Sequence, residues 1–304
     1  MNVSRETYLV EIKMESDFLV IGSGIAGLSF ALKVSELGSV CLITKKDEVD
    51  SATNLAQGGI AAVLGEKDTY EEHVADTLEA GAGLCDERVV RMVVENGPGR
   101  VSELMDIGVD FVRDSNGKLS LGKEGGHSKR RVAHSYDLTG KEIERALVDS
   151  VAKKDNISLF ENHMCMDLIV DNNQKNEDVD EGNNRCTGAY VLTEDGEIKV
   201  FRAKVIVLCT GGVGKVYLYT SNPDIATGDG VAVACRAGAK IQNMEFVQFH
   251  PTCLYHHQAK NFLISEAVRG EGALLFNEKK ERFMSKYEKQ QMELATRDKV
   301  ARAI

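Results

Sequence analysis

The sequence predicts an α/β fold: a Rossmann-like nucleotide-binding domain with a parallel sheet over residues 1–243, followed by part of an α+β domain over 244–304. Three observations predict it. A short apolar run, 17–21 (DFLVI), leads directly into Gly22-Ser23-Gly24-Ile25-Ala26-Gly27. An amphipathic helical pattern follows over 28–37, stopped by Gly38, and 39–44 (SVCLIT) reads as the next strand, so the chain opens on a βαβ unit. From residue 241 onward the character changes to an extended segment, a Gly-rich helix start and a basic helical end.

The glycine motif gains weight from its setting, since GxGxxG alone is common. Gly22 allows the tight turn, Gly24 lets backbone approach a pyrophosphate, and Gly27 lets helix pack on strand. The helix N-terminus adds free N–H groups and partial positive charge for the phosphates. Thr44 and Lys45 stand where an acidic ribose ligand is usual, so an NAD-type carboxylate contact is not expected. The Thr44 hydroxyl remains a candidate donor to the ribose. A second strand-to-glycine turn, Thr210-Gly211-Gly212, follows the apolar run 205–209.

Between these landmarks, residues 69–96 read as helical with a break near Gly81 and Gly83. A turn at Asn96-Gly97-Pro98-Gly99 is expected to open another helix, reaching about Ile107. Residues 113–139 read as a long irregular segment, 141–152 as an amphipathic helix and 157–170 as strands. Residues 171–186 are polar and acidic, a hairpin insertion with no implied function. Strands resume at 187–194 and 197–202 around Glu194-Asp195-Gly196, residues 205–209 read as a separate buried strand, and a helix is expected at about 228–237.

Composition narrows the function classes. The chain has 304 residues, a formal charge of −10 and no long Lys/Arg run, which argues against nucleic acid or an anionic membrane as partner. No apolar stretch approaches the roughly 18 residues of a membrane span, and the first sixteen residues lack a hydrophobic signal core. Seven cysteines, odd in number and without a CxxC pair, fit reduced thiols in the cytoplasm; no metal site is predicted.

Several segments then carry a specific resemblance: 54–63 (NLAQGGIAAV), 122–140 (GKEGGHSKRRVAHSYDLTG), 245–255 (EFVQFHPTCLY), 262–272 (FLISEAVRGEG) and 293–304 (ELATRDKVARAI). In this order, with the first glycine motif, the chain resembles the succinate dehydrogenase/fumarate reductase/L-aspartate oxidase flavoprotein family. The resemblance covers nearly the whole chain. It implies an FAD-binding domain over 1–243 and the N-terminal part of a substrate-capping domain over 244–304. FAD contacts are implied at Gly22, Ser23, Gly24, Ala26, Gly27, Thr44, Lys45, Ser51, Thr53, Asn54, Ala56, Gln57, Gly58, Gly59, Thr210, Gly211, Gly212 and Asp229.

Two positions favour the L-aspartate oxidase branch. Ala52 replaces the histidine that tethers FAD covalently in respiratory members, so FAD is expected to be non-covalent. Glu124, in Glu124-Gly125-Gly126-His127-Ser128, matches the glutamate thought to meet the substrate's amino group. A carboxylate facing that ammonium forms a charge-assisted hydrogen bond, whereas facing a bare methylene it is left unpaired, at a cost of several kcal/mol. Taken alone, Glu124 reads as a solvated loop residue.

The resemblance implies substrate contacts at His250, Thr252, Ser265, Glu266 and Arg269, and a proton-transfer role for Arg297. Ser265 stands where the oxidases usually have threonine. Glu266 and Arg269, three apart on a helix, read equally as a structural ion pair; Arg302 reads as structural. Arginine stays protonated at ordinary pH, so direct action by Arg297 and a relay through a neighbour both remain open. The implied reaction takes a hydride from the Cα of L-aspartate to FAD N5, with O2 or fumarate as electron acceptor, as the first step of NAD synthesis and with possible association with the next enzyme. A soluble fumarate reductase or succinate dehydrogenase-type flavoprotein is the alternative, as is an inactive flavin-binding fragment. Family members are longer than this chain, so the 304 residues alone are expected to bind FAD poorly.

Overall fold

The computed structural model describes residues 13–171, 184–256 and 258–304. Most of the acidic insertion expected at 171–186, and most of the first sixteen residues, lie outside them. The described chain forms two compact units. The first takes residues up to 52, 147–218 and 222–244; the second takes 53–146, 219–221 and 245–304.

The first unit is built on one six-stranded sheet. Lys13–Ile21 lies between Val40–Ile43 and Ile198–Leu208, parallel to both, and Val40–Ile43 also pairs parallel with Ile157–Phe160. This parallel core is the predicted βαβ arrangement, with helix Ile25–Val34 as the first crossover. Met164–Asp171 and Arg185–Leu192 extend the sheet antiparallel, making it mixed. Leu19, Leu28, Ala31, Leu42 and Ile43 are fully buried, which is why strand and helix both read as apolar in sequence.

One expectation here is corrected. Residues 198–208 form a single strand rather than two. Its first half pairs with Arg185–Leu192, and from Val200 onward it pairs with the opening strand in one constant register that passes over Lys204, so the two runs belong to one strand. Val205 and Leu208 are exposed, not buried.

The second unit pairs helices Tyr70–Ala80 and Glu87–Asp106 over Val74, Val90 and Val94. Thr69 caps the first helix by accepting the Glu72 N–H, and Asp86 caps the second through the Arg88 N–H. The expected turn at Asn96-Gly97-Pro98-Gly99 is instead the middle of one 20-residue helix. Pro98 removes a hydrogen bond to the Val94 carbonyl, a cost of about 3 kcal/mol. Burying Val90, Val94, Val101 and Leu104 along one stripe returns about 1.5–3 kcal/mol for each side chain, so packing wins. Short strands Ile60–Ala61, Val132–Ala133 and Leu121–Gly122 form a three-stranded sheet, and Met284, Ala295 and Val300 make a separate small core under helix Arg297–Ala303. Among the described residues no helix is long and apolar enough to cross a membrane.

Candidate active site

In the first unit the predicted nucleotide turn has the required shape. Gly22 has φ +112°, and a Cβ there would stand 2.2 Å from the Cys209 carbonyl oxygen. A Cβ on Gly27 would meet the Gly22 carbonyl at 1.8 Å, so only glycines let helix and strand approach this closely. Helix Ile25–Val34 starts at Gly24 with no side-chain cap and no acidic residue in its first turn, and Ala26 is exposed there. No side chain caps that end and no carboxylate crowds it, so the cradle fits the phosphates of a dinucleotide.

The neighbouring polar residues are already engaged. Ser23 is buried, with its hydroxyl 3.0 Å from the Thr44 hydroxyl and donating to the Glu48 carbonyl at 2.8 Å. Lys45 pairs with the Asp229 carboxylate and donates to Thr227 Oγ1 at 2.7 Å. These two predicted cofactor residues thus neutralise each other. Ser51 is buried, and Thr210 leads into Gly211, whose φ is +68°, and the exposed Gly212.

The other predicted cofactor residues lie in the second unit. Thr53 and Ala56 close a turn, with Ala56 N donating to the Thr53 carbonyl at 3.0 Å; Asn54 lies within it. The Gly58 carbonyl accepts Thr139 Oγ1 at 2.7 Å, and a Cβ on Gly59 would stand 2.3 Å from the Ala133 carbonyl. Gln57 Oε1 is buried with no hydrogen-bond partner among the described residues, an acceptor suited to a polar ligand edge.

Four charged side chains converge in the same unit. Glu266 and Arg269 sit on helix Glu266–Gly270, each 3% exposed, with Arg269 Nη2 3.4 Å from Glu266 Oε1. Glu266 Oε1 also accepts Gly125 N at 3.0 Å, and its Oε2 takes Arg297 Nε. Arg297, first residue of its helix, donates through Nη1 to Gln248 Oε1 at 2.9 Å. Its Nη2 lies 3.6 Å from Glu124 Oε2. Arg269 Nη1 donates to the Glu293 carbonyl at 2.6 Å, while its Nε and Nη2 are buried without hydrogen bonds among the described residues. Two carboxylates and two guanidiniums therefore balance, so an incoming dicarboxylate must compete for partners already in use.

Glu124 is 16% exposed and lines two cavities. One, of about 400 Å³, is walled mainly by Gly58, Val132, Phe262, Ile264 and Val268, with Ser265 at its edge. The other, of about 710 Å³, is walled by Arg297, Glu266, Gln248, His127 and Arg302. Burial, and then the Glu266 charge, push the Glu124 carboxyl above the usual range, against the pull of Arg297 and Arg269.

His250 is anchored through Nδ1, which lies 3.2 Å from Thr252 N and 3.1 Å from Thr252 O. Burial and then the Arg297 charge hold it below the ordinary histidine range. The Thr252 hydroxyl donates to the Ile264 carbonyl at 3.1 Å, so its proton is already committed. Ser265 caps its helix by accepting Ala267 N, and among the described residues nothing accepts its proton.

Sequence reasoning missed Gln248, although it lies in a quoted segment, and missed Arg131. That side chain is fully buried and grips Asp68 and Asp76. Asp68 just before an amphipathic helix and Asp76 on it look like solvated surface residues, and no local signal marks them otherwise.

A sequence profile of the FAD binding domain family matches residues 17–304. L-aspartate oxidase 1 of Ralstonia nicotianae is 50% identical over 294 residues, covering 96% of this chain and 54% of that protein. L-aspartate oxidase of Vibrio cholerae is 46% identical over 310 residues, covering all of this chain and 56% of that protein. The chain thus spans about half the length of the curated relatives it matches. Among solved structures, a variant of the E. coli quinol fumarate reductase chain FrdA superposes with TM-score 0.87 at 31% identity, covering 96% of this chain and 50% of that one. Mycobacterium smegmatis Sdh1 superposes with TM-score 0.77 at 35% identity, covering 96% and 49%. The chain belongs to the FAD binding domain family, in the branch shared by the L-aspartate oxidases and the fumarate reductase and succinate dehydrogenase flavoproteins.

Proposed function

We propose that the chain carries the cofactor cradle and part of the substrate pocket of an FAD-dependent L-aspartate oxidase. The observation that carries this reading is Glu124: a half-sequestered carboxylate on the wall of both cavities, facing the guanidinium of Arg297. The Gly22–Gly27 turn would hold the phosphates of a non-covalent FAD, which when bound would supply the hydride acceptor, with O2 or fumarate as the final electron acceptor.

The chain's own residues do the rest. Arg297 presents donors suited to a substrate carboxylate and so orients the diacid. Glu124 exchanges its long contact with Arg297 for the substrate ammonium, and its raised pKa equips it to take the proton which that nitrogen sheds as the imine forms. The Thr252 backbone holds His250 through Nδ1, which leaves Nε2 for the second carboxylate. Ser265 has a hydroxyl proton free for the same diacid. Glu266 and Arg269 form a buried ion pair that fixes Arg297. Free thiols at all seven cysteines support a reducing, cytoplasmic setting. The iminoaspartate product supports a first step in NAD synthesis, with the next enzyme of that route as consumer.

The test is a substrate comparison in the holoenzyme. The holoenzyme that contains this chain is expected to oxidise L-aspartate in preference to succinate, and Glu124→Gln to lower kcat/KM for aspartate by about 10-fold or more while sparing fumarate reduction. Equal use of both diacids by the unsubstituted enzyme would sink the reading.

A further inference from the structure

Glu124 opens a turn closed internally by one long bond, His127 N to the Glu124 carbonyl at 3.4 Å. Two glycines follow Glu124, and Gly126 sits at φ +80°. Three shorter ties to other elements add to that bond. Gly125 N donates to Glu266 Oε1 at 3.0 Å, and Gly126 N to the Leu294 carbonyl at 3.2 Å. The third tie is Ser128, whose N and Oγ both donate to Asp76 Oδ2 at 2.8 Å.

That third tie is backed by charge. Asp76 Oδ2 also accepts Arg131 Nη1 at 2.8 Å. Arg131 is fully buried, and its Nε and Nη2 grip both oxygens of Asp68 at 3.0 and 2.8 Å. Asp76 and His73 lie three residues apart on helix Tyr70–Ala80 and face the turn together. The His73 ring meets His127 edge-on, centroids 5.9 Å apart. A single oxygen of Asp76 thus receives three donors, two of them from the turn.

We propose that Asp76, itself held by Arg131, is a positioning residue that sets the reach of Glu124 toward the substrate nitrogen, and thereby sets selectivity for an amino diacid over its nitrogen-free analogue. This rests on the reading of Glu124 as the ammonium partner. The selectivity follows from what Asp76 does not touch. Arg297 is anchored by Gln248 and Glu266, and Glu266 by Arg269 and Gly125, none of which bonds to Asp76. Loosening the far end of the turn therefore shifts Glu124 most, while Arg297 keeps Gln248 and Glu266, and Glu266 keeps Arg269.

The experiment uses the holoenzyme with Asp76→Asn, Ser128→Ala and, as reference, Glu124→Gln. L-aspartate oxidation and fumarate reduction are both measured, with kcat and KM separated. Asp76→Asn keeps the size of the side chain and an acceptor but removes the charge. It is expected to lower kcat/KM for aspartate about 10-fold, chiefly through KM, with fumarate reduction held within about twofold. Ser128→Ala, at an exposed position, is expected to shift the same ratio in the same direction by less. A parallel fall in both activities, or no change in the ratio, overturns the proposal. If Asp76→Asn does not fold, an unchanged ratio in Ser128→Ala overturns it. Loss of selectivity in Glu124→Gln but not in the other two defeats this inference alone. Selectivity surviving Glu124→Gln defeats the reading beneath it.

Discussion

A single ionisation decides what Glu124 can do. An ammonium is held by a carboxylate, not by a carboxylic acid, so aspartate binding requires the ionised form. Burial, and then the nearby Glu266 charge, make that form harder to reach than in an ordinary glutamate, whose pKa is about 4.3. The sign follows: as pH falls, Glu124 takes up its proton earlier than a free glutamate would. The KM for L-aspartate is therefore expected to climb on the acid side above the ordinary carboxylate range, while fumarate reduction lacks that limb. Glu124→Gln should remove the limb from the aspartate profile. A limb that persists at the same pH in the variant would assign it to another group. The functional meaning of this residue was not legible locally, since a glutamate between Lys123 and two glycines reads as a surface loop. Only the resemblance pointed to it, and only the fold shows why it is buried.

Helix Glu87–Asp106 shows where local signals and packing disagree. Asn96-Gly97-Pro98-Gly99 carries every mark of a turn, yet the apolar stripe runs straight through it. Turn chemistry is read from neighbours in sequence; the stripe's value depends on helix Tyr70–Ala80, which the local pattern does not contain. The opening βαβ unit was legible because strand, glycine turn and helix are all local. The strand Ile198–Leu208 was split in two because its continuity depends on partners far away in sequence. The same helix gives a paired prediction. Gly99 is exposed, and an added Cβ meets nothing within 4 Å, so Gly99→Ala should stabilise by roughly 0.5–1 kcal/mol through helix propensity. Gly97 faces Ala62, where a new Cβ would stand 3.3 Å from the alanine Cβ. Gly97→Ala should therefore gain less, or lose stability. Chemical denaturation of the two variants side by side checks this; equal gains would show that the Ala62 contact yields freely.

Across the whole molecule, the candidate site joins Glu124, Gln248, Glu266 and Arg297, contacts that no sequence period announces. The formal charge of −10 does not oppose a diacid there, because screening confines charge effects to roughly 8–10 Å and the local cluster is balanced. Burying titratable groups leaves a mark on global stability. His73, His127 and His250 are all held below the ordinary histidine range, burial being the largest cause in each, with Arg131 next for the first two and Arg297 for the third. When pH falls through about 6.5, the unfolded chain takes up protons that the folded chain refuses, so stability is complete above that value and is lost below it. Cys165 acts from the other side. Burial pushes its thiol up to about 11, so the unfolded chain ionises first on the alkaline side and stability falls as pH rises beyond the ordinary thiol range. The thermal midpoint is expected to be highest between about pH 7 and 8 and to decline in both directions. The acid decline should begin well above the region where paired carboxylates such as Asp17, held at about 2, take up protons. Calorimetry from pH 9 down to pH 5.5 checks it, and a midpoint that stays level or rises between pH 7 and 5.5 would mean that these histidines are hydrated and charged in the folded chain.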